Sequence, residues 1–178
     1  MGDVILFLDS DVVVYPDYLE KILKVFETKL NALGAQGWNV PKNVKLRKTN
    51  SLLKFYAFNS IKRVFLIQHY TTDSCKYSEY PIILTKIIDC SYLQGSNMAF
   101  RREIFRQFKF DENLKGYSYM EDLLLSHLIH KKYPNCLYIT PHAKCIHKVS
   151  EEGRTEMSLF ESPHKRRCRK YVLTKYLV

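Results

Sequence analysis

The sequence predicts an α/β domain in which a sheet is flanked by helices. The apolar run Val4–Leu8 is followed by an amphipathic helical pattern and then by a second strand pattern over residues 35–40. Strand, helix, strand is the repeating unit of α/β folds. The chain has 178 residues, 46% of them hydrophobic, which is enough for one domain with a substantial core.

The first strand and helix have clear signals. Val4–Leu8 is continuously apolar, as expected of a strand that is covered on both faces. Asp17 and Glu20 have capping-box spacing, and Gly34 is predicted to end the helix. The apolar face of this helix is predicted to consist of Leu19, Ile22, Leu23, Phe26, Leu30 and Leu33.

The middle of the chain is less regular. Residues 41–50 form a basic, polar connection, residues 51–69 are predicted to form a helix, and residues 71–80 a loop. That helix either packs on the core or lies on a membrane surface. Residues 82–93 are predicted to hold one or two strands.

The second half repeats the alternation of strands and helices. A QGSN turn precedes a strand and basic helix over residues 98–108, and Ser118 and Glu121 have capping-box spacing at a second helix. That helix has an apolar face of Leu124, Leu125, Leu128 and Ile129. Residues 136–140 and 143–147 are predicted to be short strands, and the basic tail HKRRCRKYVLTKYLV to be helical.

Charge and cysteine content limit the partners and the compartment. The formal net charge of +10 favours anionic partners. The five cysteines are odd in number and form no CxxC pair, which indicates a reducing cytosol. Cys145 and His147 lack the second pair of a structural zinc site. We see no signal peptide and no apolar segment of the roughly 20 residues that span a bilayer.

Asp9 and Asp11 are the first candidate site. Two carboxylates one residue apart at the end of a buried strand repel each other unless something positive neutralises them. Ligands of open α/β sheets lie beyond the carboxyl ends of strands, and Mg²⁺ or Mn²⁺ prefers such oxygen ligands. The alternative is a polar turn that leads to the helix.

Further candidates follow along the chain. Gly95 allows close approach of a ligand, and Ser96 and Asn97 offer hydrogen bonds to sugar hydroxyls. Asp122 lies in the first turn of a helix, where its charged form is favoured, so we expect a proton acceptor that is not a strong base. Glu121 is either a capping residue or a ligand contact.

The C-terminal segment CIHKVSEEGRTE adds a third group of candidates. His147 follows a strand and is either a structural residue or a metal ligand. Lys148 and Arg154 are candidates to hold phosphate oxygens.

In the order VILFLDSD, LQGSNMAFRREIF, FDE…GYSYMEDLLLSHLIHKK and IHKVSEEGRT, the sequence resembles glycosyltransferase family 2 over residues 4–155. These are inverting enzymes with the GT-A fold, so the resemblance implies a partial, Rossmann-like GT-A sheet flanked by helices. It also implies a nucleotide-diphosphate sugar donor and a saccharide or lipid-linked acceptor, as in the synthesis of cell-envelope polysaccharide.

The resemblance also implies roles for individual residues. Asp11 and His147 would bind the metal, Mn²⁺ or Mg²⁺, and Asp9 would contact either the metal or the ribose. Asp122 would be the base that deprotonates the acceptor hydroxyl. The remaining substrate contacts would be Gly95, Ser96 and Asn97 at the donor sugar, Glu121 at the acceptor and Arg154 at the diphosphate.

One departure from the family concerns the N-terminal half. Family members carry a nucleotide-binding βαβ unit before the D-x-D pair, which here comes at Asp9. We therefore expect one partial domain over 1–178, divided into 1–40, 41–90, 91–155 and a basic helical tail at 156–178. We also expect weak donor binding by this chain alone and self-association through an exposed sheet edge at Val4–Leu8.

Two other interpretations remain open. LFLDSDVVV also fits haloacid-dehalogenase-like phosphatases, in which Asp9 would be the nucleophile and Asp11 a general acid. The second interpretation is a non-catalytic basic binding module, although the sequence contains no motif for specific nucleic-acid recognition. The preferred prediction is a metal-dependent glycosyltransferase, cytoplasmic and in peripheral contact with the cytoplasmic membrane face.

Overall fold

The computed structural model describes residues 2–40, 85–114, 119–148 and 163–176. The predicted helix over residues 51–69 and the segments 41–50 and 71–80 lie outside the described residues. Within the described residues, six strands form one mixed sheet that is flanked by helices, which confirms the predicted α/β class.

The strands and helices follow the predicted alternation. The strands are β1 (Val4–Leu8), β2 (Val12–Val14), β3 (Gly34–Asn39), β4 (Ile88–Cys90), β5 (Asn97–Arg101) and β6 (Leu137–His147). The helices are α1 (Tyr18–Thr28), α2 (Glu121–Lys132) and α3 (Pro163–Tyr176), with a 3₁₀ helix at Arg102–Arg106.

Strand directions bring several loops to one end of the sheet. The order is β1-β5-β3-β6-β2, and β4 also pairs with β6. β1 and β3 are both antiparallel to β5, and β3 is parallel to β6. The carboxyl ends of β1, β3 and β6 and the amino end of β5 therefore lie along the same edge, which we call the site edge.

Both faces of the sheet are covered. One face packs against α1 through Tyr18, Ile22, Val25 and Phe26, and the other packs against α2 through Leu125 and Ile129. Val4 and Leu6 of β1 contact the first cluster and Phe7 the second, as predicted for a strand covered on both sides. A third cluster, Leu114, Leu124, Cys168 and Val172, joins α3 to α2.

The predicted length of α1 was wrong, and its apolar face was predicted only in part, since Ile22 and Phe26 are buried. The helix ends at Thr28, because Lys29 is extended and Arg101 donates hydrogen bonds to the carbonyls of Phe26 and Ala32. Leu30 is therefore 89% exposed, and Leu19 and Leu23 also face solvent. Asp17 makes no side-chain cap bond.

Gly34 does not end the helix but begins β3. A Cβ atom there would lie 2.8 Å from side-chain atoms of both Leu137 and Leu93. Glycine is thus required for close packing of the strand against its neighbours.

The other corrections concern strand and helix bounds. The two predicted C-terminal strands are one strand, β6, whose pairing with β3 shifts register between Gln36 and Trp38. β2 was not predicted. α2 begins at Glu121, after Met120 at a φ of 74°, and Ser118 lies outside the described residues. In the part of the chain that is described, none of the helices has the length and apolarity needed to cross a membrane.

Candidate functional site

Asp9, Asp11 and His147 meet at the site edge. Each offers one ligand atom, and these atoms all lie within 4.8 Å of one another. The turn after β1 is closed by a hydrogen bond from the Val12 N–H to the Asp9 carbonyl, and the chain then enters β2. Because Val12 pairs with His147 in the sheet, the turn places both carboxylates beside the imidazole.

The chemistry of this cluster fits a divalent cation. Nε2 of His147 lies 3.1 Å from Oδ1 of Asp11, and the two side chains are 21% and 28% exposed, so both are accessible from solvent. Two carboxylates and one imidazole are a ligand set that suits Mn²⁺, and carboxylate oxygens also suit Mg²⁺. Among the described residues, this is the cluster that could hold a metal.

Asp122, at the start of α2, lies near the cluster but is not part of it, because its carboxylate is partly buried and binds backbone N–H groups. Its Oδ2 accepts a hydrogen bond of 2.8 Å from the Gly95 N–H, and its Oδ1 accepts one of 2.8 Å from the Leu123 N–H. Burial raises the pKa of Asp122, the hydrogen bonds oppose that rise, and the charge of Asp9 adds to it. The expectation that the helix terminus would make it a weaker base was wrong, because desolvation outweighs the helix N–H groups.

The turn before β5 connects Asp122 to the cluster. Gly95 donates to Asp122, and the carbonyl of the next residue, Ser96, accepts a hydrogen bond of 3.1 Å from the Asp9 N–H. One short turn thus contacts both the candidate base and the acidic pair. The structure therefore brings together Asp9, Asp11, His147, Gly95 and Asp122, which are distant in the sequence.

The comparisons with known proteins agree with this geometry. The sequence model of the family described as Glycosyl transferase family 2 matches residues 1–109, more than half of the chain. The chain belongs to glycosyltransferase family 2. No curated protein matches it. Family membership supports a glycosyltransferase function and favours it over the phosphatase interpretation of Asp9 and Asp11.

The matched residues include the D-x-D turn and the turn before β5 of this glycosyltransferase domain. Asp122 and His147 lie beyond the matched residues, so their place at the site comes from the structure. His147 reaches the site because β6 runs parallel to β3 and ends at the same edge.

Asn97 and Ser96 are both buried, which limits their contact with a sugar. Asn97 is fully buried, and its amide is bonded within the protein, so it has no surface through which to touch a ligand. Ser96 is also largely buried, and its hydroxyl accepts a hydrogen bond of 3.3 Å from Asn39. Gly95, which is partly exposed, is therefore the member of the predicted sugar-contacting set best placed beside a ligand.

Sequence reasoning missed two glutamines beside this turn. The buried Gln36 accepts a hydrogen bond of 2.7 Å from the Gln94 N–H, and its own amide lies 3.3 Å from Oε1 of Gln94. Asn39 also contacts Oε1 of Gln94, at 3.4 Å. The motif QGSN contained Gln94, but nothing in the spacing indicated its partners on β3.

The remaining predicted residues are Glu121, Arg154 and Lys148. Glu121 is the first residue of α2 and adjoins Asp122, and its predicted contact with the acceptor stays a prediction. Arg154 lies outside the described residues. The Lys148 N–H donates to the Asp11 carbonyl at 2.8 Å, which holds the strand end beside the acidic turn.

Cys145 does not belong to the metal cluster. Its thiol donates to Oδ1 of Asn39 at 2.8 Å, on the buried side of β6, and burial raises its pKa to about 12. Because a thiolate is the zinc ligand, the raised pKa of the Cys145 thiol does not favour a zinc site at this residue.

Proposed function

We propose that this chain transfers a sugar from a nucleotide-diphosphate sugar to an acceptor hydroxyl, with inversion and with dependence on Mn²⁺ or Mg²⁺. The observation that carries the proposal is the gathering of Asp9, Asp11 and His147 within 4.8 Å, with Asp122 held next to them by Gly95. Membership of glycosyltransferase family 2 supports the reaction class.

Asp11 and His147 would hold the cation, with Asp9 as a third ligand or as a contact to the ribose. A bound divalent cation would act as a Lewis acid that neutralises the charge of the diphosphate leaving group. The protein itself supplies a partly exposed acidic turn that would otherwise be destabilised by repulsion between its carboxylates.

Asp122 would remove the proton from the acceptor hydroxyl. Its raised pKa makes its carboxylate a stronger base than an ordinary aspartate, and its two backbone hydrogen bonds fix the direction of the carboxyl group. Inversion requires attack on the face of the sugar opposite the leaving group, and one base on the acceptor side is sufficient. This division of roles fits a metal cluster and a separate carboxylate.

The proposed positions of the substrates are based on family membership and on the same arrangement of residues. We propose that the donor sugar lies beside Gly95, that its diphosphate lies at the acidic turn and is also held by Arg154, and that Glu121 contacts the acceptor. The proposed acceptor is a saccharide or a lipid-linked molecule. Gly95 suits this position because a backbone without a side chain lets a ring approach closely.

A direct test is transfer by the purified chain from a panel of nucleotide-diphosphate sugars, with and without Mn²⁺ or Mg²⁺. We expect metal-dependent release of nucleoside diphosphate, and NMR of the product should show an anomeric configuration opposite to that of the donor. Retention of configuration, or equal transfer in the presence of a chelator, would contradict the proposed mechanism.

The metal site can be tested separately by calorimetry with Mn²⁺. His147→Ala and Asp11→Asn should each weaken Mn²⁺ binding at least tenfold. His142→Ala is the matched control, since His142 lies on the same strand but is exposed and outside the cluster. Equal affinity for the wild-type chain and His147→Ala would remove His147 from the proposed ligands.

We further propose a cytoplasmic protein in peripheral contact with a membrane, for which the basic α3 is the candidate surface. Self-association is proposed through β1, which pairs with β5 on one side and with no other strand among the described residues. An edge strand with an unpaired side is a template for pairing with another chain. Light scattering should then show a mass that rises with protein concentration.

A further inference from the structure

Asn97 occupies a central place beneath the proposed metal site. It is the first residue of β5 and pairs with Leu8, the last residue of β1, directly before Asp9. The carbonyl of the preceding residue, Ser96, accepts the hydrogen bond from the Asp9 N–H. A displacement of Asn97 would therefore move the backbone that carries Asp9.

The Asn97 side-chain oxygen occupies a position where the sheet lacks a strand partner. The pairing of β3 with β6 shifts register between Gln36 and Trp38, so Gly37 lies at the irregularity. Oδ1 of Asn97 accepts the Gly37 N–H at 3.0 Å and also lies 3.2 Å from the hydroxyl of Tyr18. A buried N–H group at a bulge needs such a partner.

The Asn97 side-chain nitrogen reaches the strand that carries His147. Nδ2 donates to Oδ1 of Asn39 at 3.0 Å and contacts Sγ of Cys145 at 3.3 Å. Cys145 in turn donates to the same oxygen of Asn39, at 2.8 Å. Since Cys145 precedes His147 by two residues on β6, this triangle fixes the end of the strand from which the imidazole projects.

Both ends of the amide are therefore in use, and no other side chain of similar size could make the same contacts. An aspartate would keep the acceptor but lose both N–H donors and would turn a carboxylate oxygen towards Oδ1 of Asn39. Alanine would leave the buried N–H of Gly37 without its acceptor and would remove the N–H donor that reaches Asn39 and Cys145. Glycine is equally constrained at position 37, where a Cβ atom would lie 2.4 Å from the Tyr18 ring.

We infer that Asn97 is a positioning residue that holds Asp9 and His147 at the spacing a divalent cation requires. It links β5 next to the acidic turn, β3 through Gly37 and Asn39, and β6 through Cys145. This assignment replaces the predicted contact between Asn97 and the donor sugar. It rests on the proposed metal-dependent function, because its effect is on the metal ligands.

The test is Mn²⁺ affinity measured by calorimetry, with stability measured separately by urea unfolding of the same proteins. Asn97→Ala should weaken Mn²⁺ binding at least tenfold, which is the usual effect of losing a group that orients metal ligands. Tyr18→Phe is the matched control, because it removes one hydrogen bond from the same buried cluster on the side of α1. It should lower stability and keep the Mn²⁺ affinity within twofold.

Cys145→Ala is a milder variant that tests the positioning role of Asn97 if Asn97→Ala does not fold. It removes the link between the amide and β6 and should weaken Mn²⁺ binding at least threefold. Affinity unchanged in a folded Asn97→Ala protein, or in Cys145→Ala, would overturn the inference. An equal loss in Tyr18→Phe would also overturn it, since general destabilisation would then be the cause.

The outcome for the wild-type chain separates this inference from the proposed function. No Mn²⁺ binding by the wild-type chain would overturn both. Mn²⁺ binding that depends on His147 but is independent of Asn97 and Cys145 would overturn the positioning role alone.

Discussion

The main-chain N–H of Gly95 donates a hydrogen bond of 2.8 Å to Oδ2 of Asp122. This contact joins the start of α2 to the turn before β5, whose next carbonyl binds the Asp9 N–H. The proposed base and a proposed metal contact are thus held by adjacent residues, Gly95 and Ser96. Their separation is set by the backbone of one turn, which favours a fixed geometry between the acceptor side and the metal side of the site.

Replacement of Asp122 by Asn should lower kcat by about 10²- to 10⁴-fold, the usual contribution of general base catalysis. The amide has nearly the same shape but cannot accept the proton. Steady-state transfer kinetics at saturating Mn²⁺ would measure the effect, and calorimetry should show that Mn²⁺ still binds.

The neighbouring Glu121→Gln variant separates the roles of the two carboxylates. We expect it to raise the KM for the acceptor while kcat changes little. If Asp122→Asn keeps kcat within tenfold of the wild-type value, the base is another group.

The protonation of Asp122 should occur at a higher pH than that of an ordinary aspartate. Burial raises its pKa above the usual 3.8, and the Asp9 charge adds to the rise. Titration of the Asp122 carboxyl carbon by NMR, in the metal-free full chain, should show this, and Asp9→Asn should lower the pKa of Asp122. A pKa at or below 3.8 in the wild-type chain would contradict the structure.

The sign of the effect on stability follows from the same shift. Between pH 3.8 and the raised pKa, the folded chain binds more protons at Asp122 than the unfolded chain does. The contribution of this group to the free energy of unfolding therefore falls as the pH rises through that window. Activity changes in the opposite sense, because the base must be deprotonated to act.

The sequence predicted the central strands and helices well but placed the end of α1 wrongly. Leu30 and Leu33 continue the helical spacing, so the pattern favoured a helix that reaches Gly34. The chain leaves the helix at Lys29, and Arg101, 72 residues later, binds the Phe26 carbonyl, which the N–H of Leu30 would use in a longer helix. A tertiary contact of that kind leaves no local signal.

The candidate site was predictable where residue type and order were sufficient, and not where a residue's role depends on contacts between distant strands. Asp9, Asp11, Asp122 and His147 were identified from residue type and order, and the parallel course of β3 and β6 brings His147 to the acidic turn. The role of Asn97 could not be predicted, since it depends on an irregularity in strand pairing beside Gly37. β2 was missed because its three valines follow the acidic turn directly and pair with residues more than 130 positions away.

Asp111 should contribute to the attachment of α3. Its Oδ2 accepts hydrogen bonds from the hydroxyls of Tyr171, at 2.8 Å, and Tyr176, at 2.5 Å. Desolvation raises the pKa of Asp111, but these bonds and those from Asn113 lower it by a larger amount. The net pKa therefore lies below 3.8. Asp111→Asn should reduce the free energy of unfolding by about 1.5–3 kcal/mol at pH 7, the range for hydrogen bonds to a charged group.

Urea unfolding at several pH values would check this attachment. Because the folded-state pKa of Asp111 is depressed, its contribution is complete above pH 3.8 and is lost as the pH falls towards the folded pKa. Glu112→Gln, next to it and exposed, is the control and should change stability by less than about 0.5 kcal/mol. Equal unfolding free energies for Asp111→Asn and the wild-type chain would show that the tyrosine contacts add nothing.

The outer face of α3 should bind anionic lipid. Arg166, Arg167 and Lys170 are exposed there, with Leu173 beside them, and the helix contains no acidic residue. Each basic residue near an anionic membrane contributes about 1 kcal/mol, so three of them should give measurable binding that salt weakens. The exposed leucine favours a lipid surface over nucleic acid, because its side chain gains from contact with acyl chains.

Sedimentation with vesicles of phosphatidylcholine, with and without phosphatidylserine, would test this surface. We expect binding to the anionic vesicles that is lost when Arg166, Arg167 and Lys170 are all changed to Glu. The control changes three exposed lysines outside α3, Lys24, Lys109 and Lys131, to Glu, which alters the net charge equally. If both triple variants lose binding to the same extent, the total charge of the protein attracts the membrane and the face of α3 has no special role. Tighter binding of the wild-type chain to an oligonucleotide than to the vesicles would instead assign this face to nucleic acid.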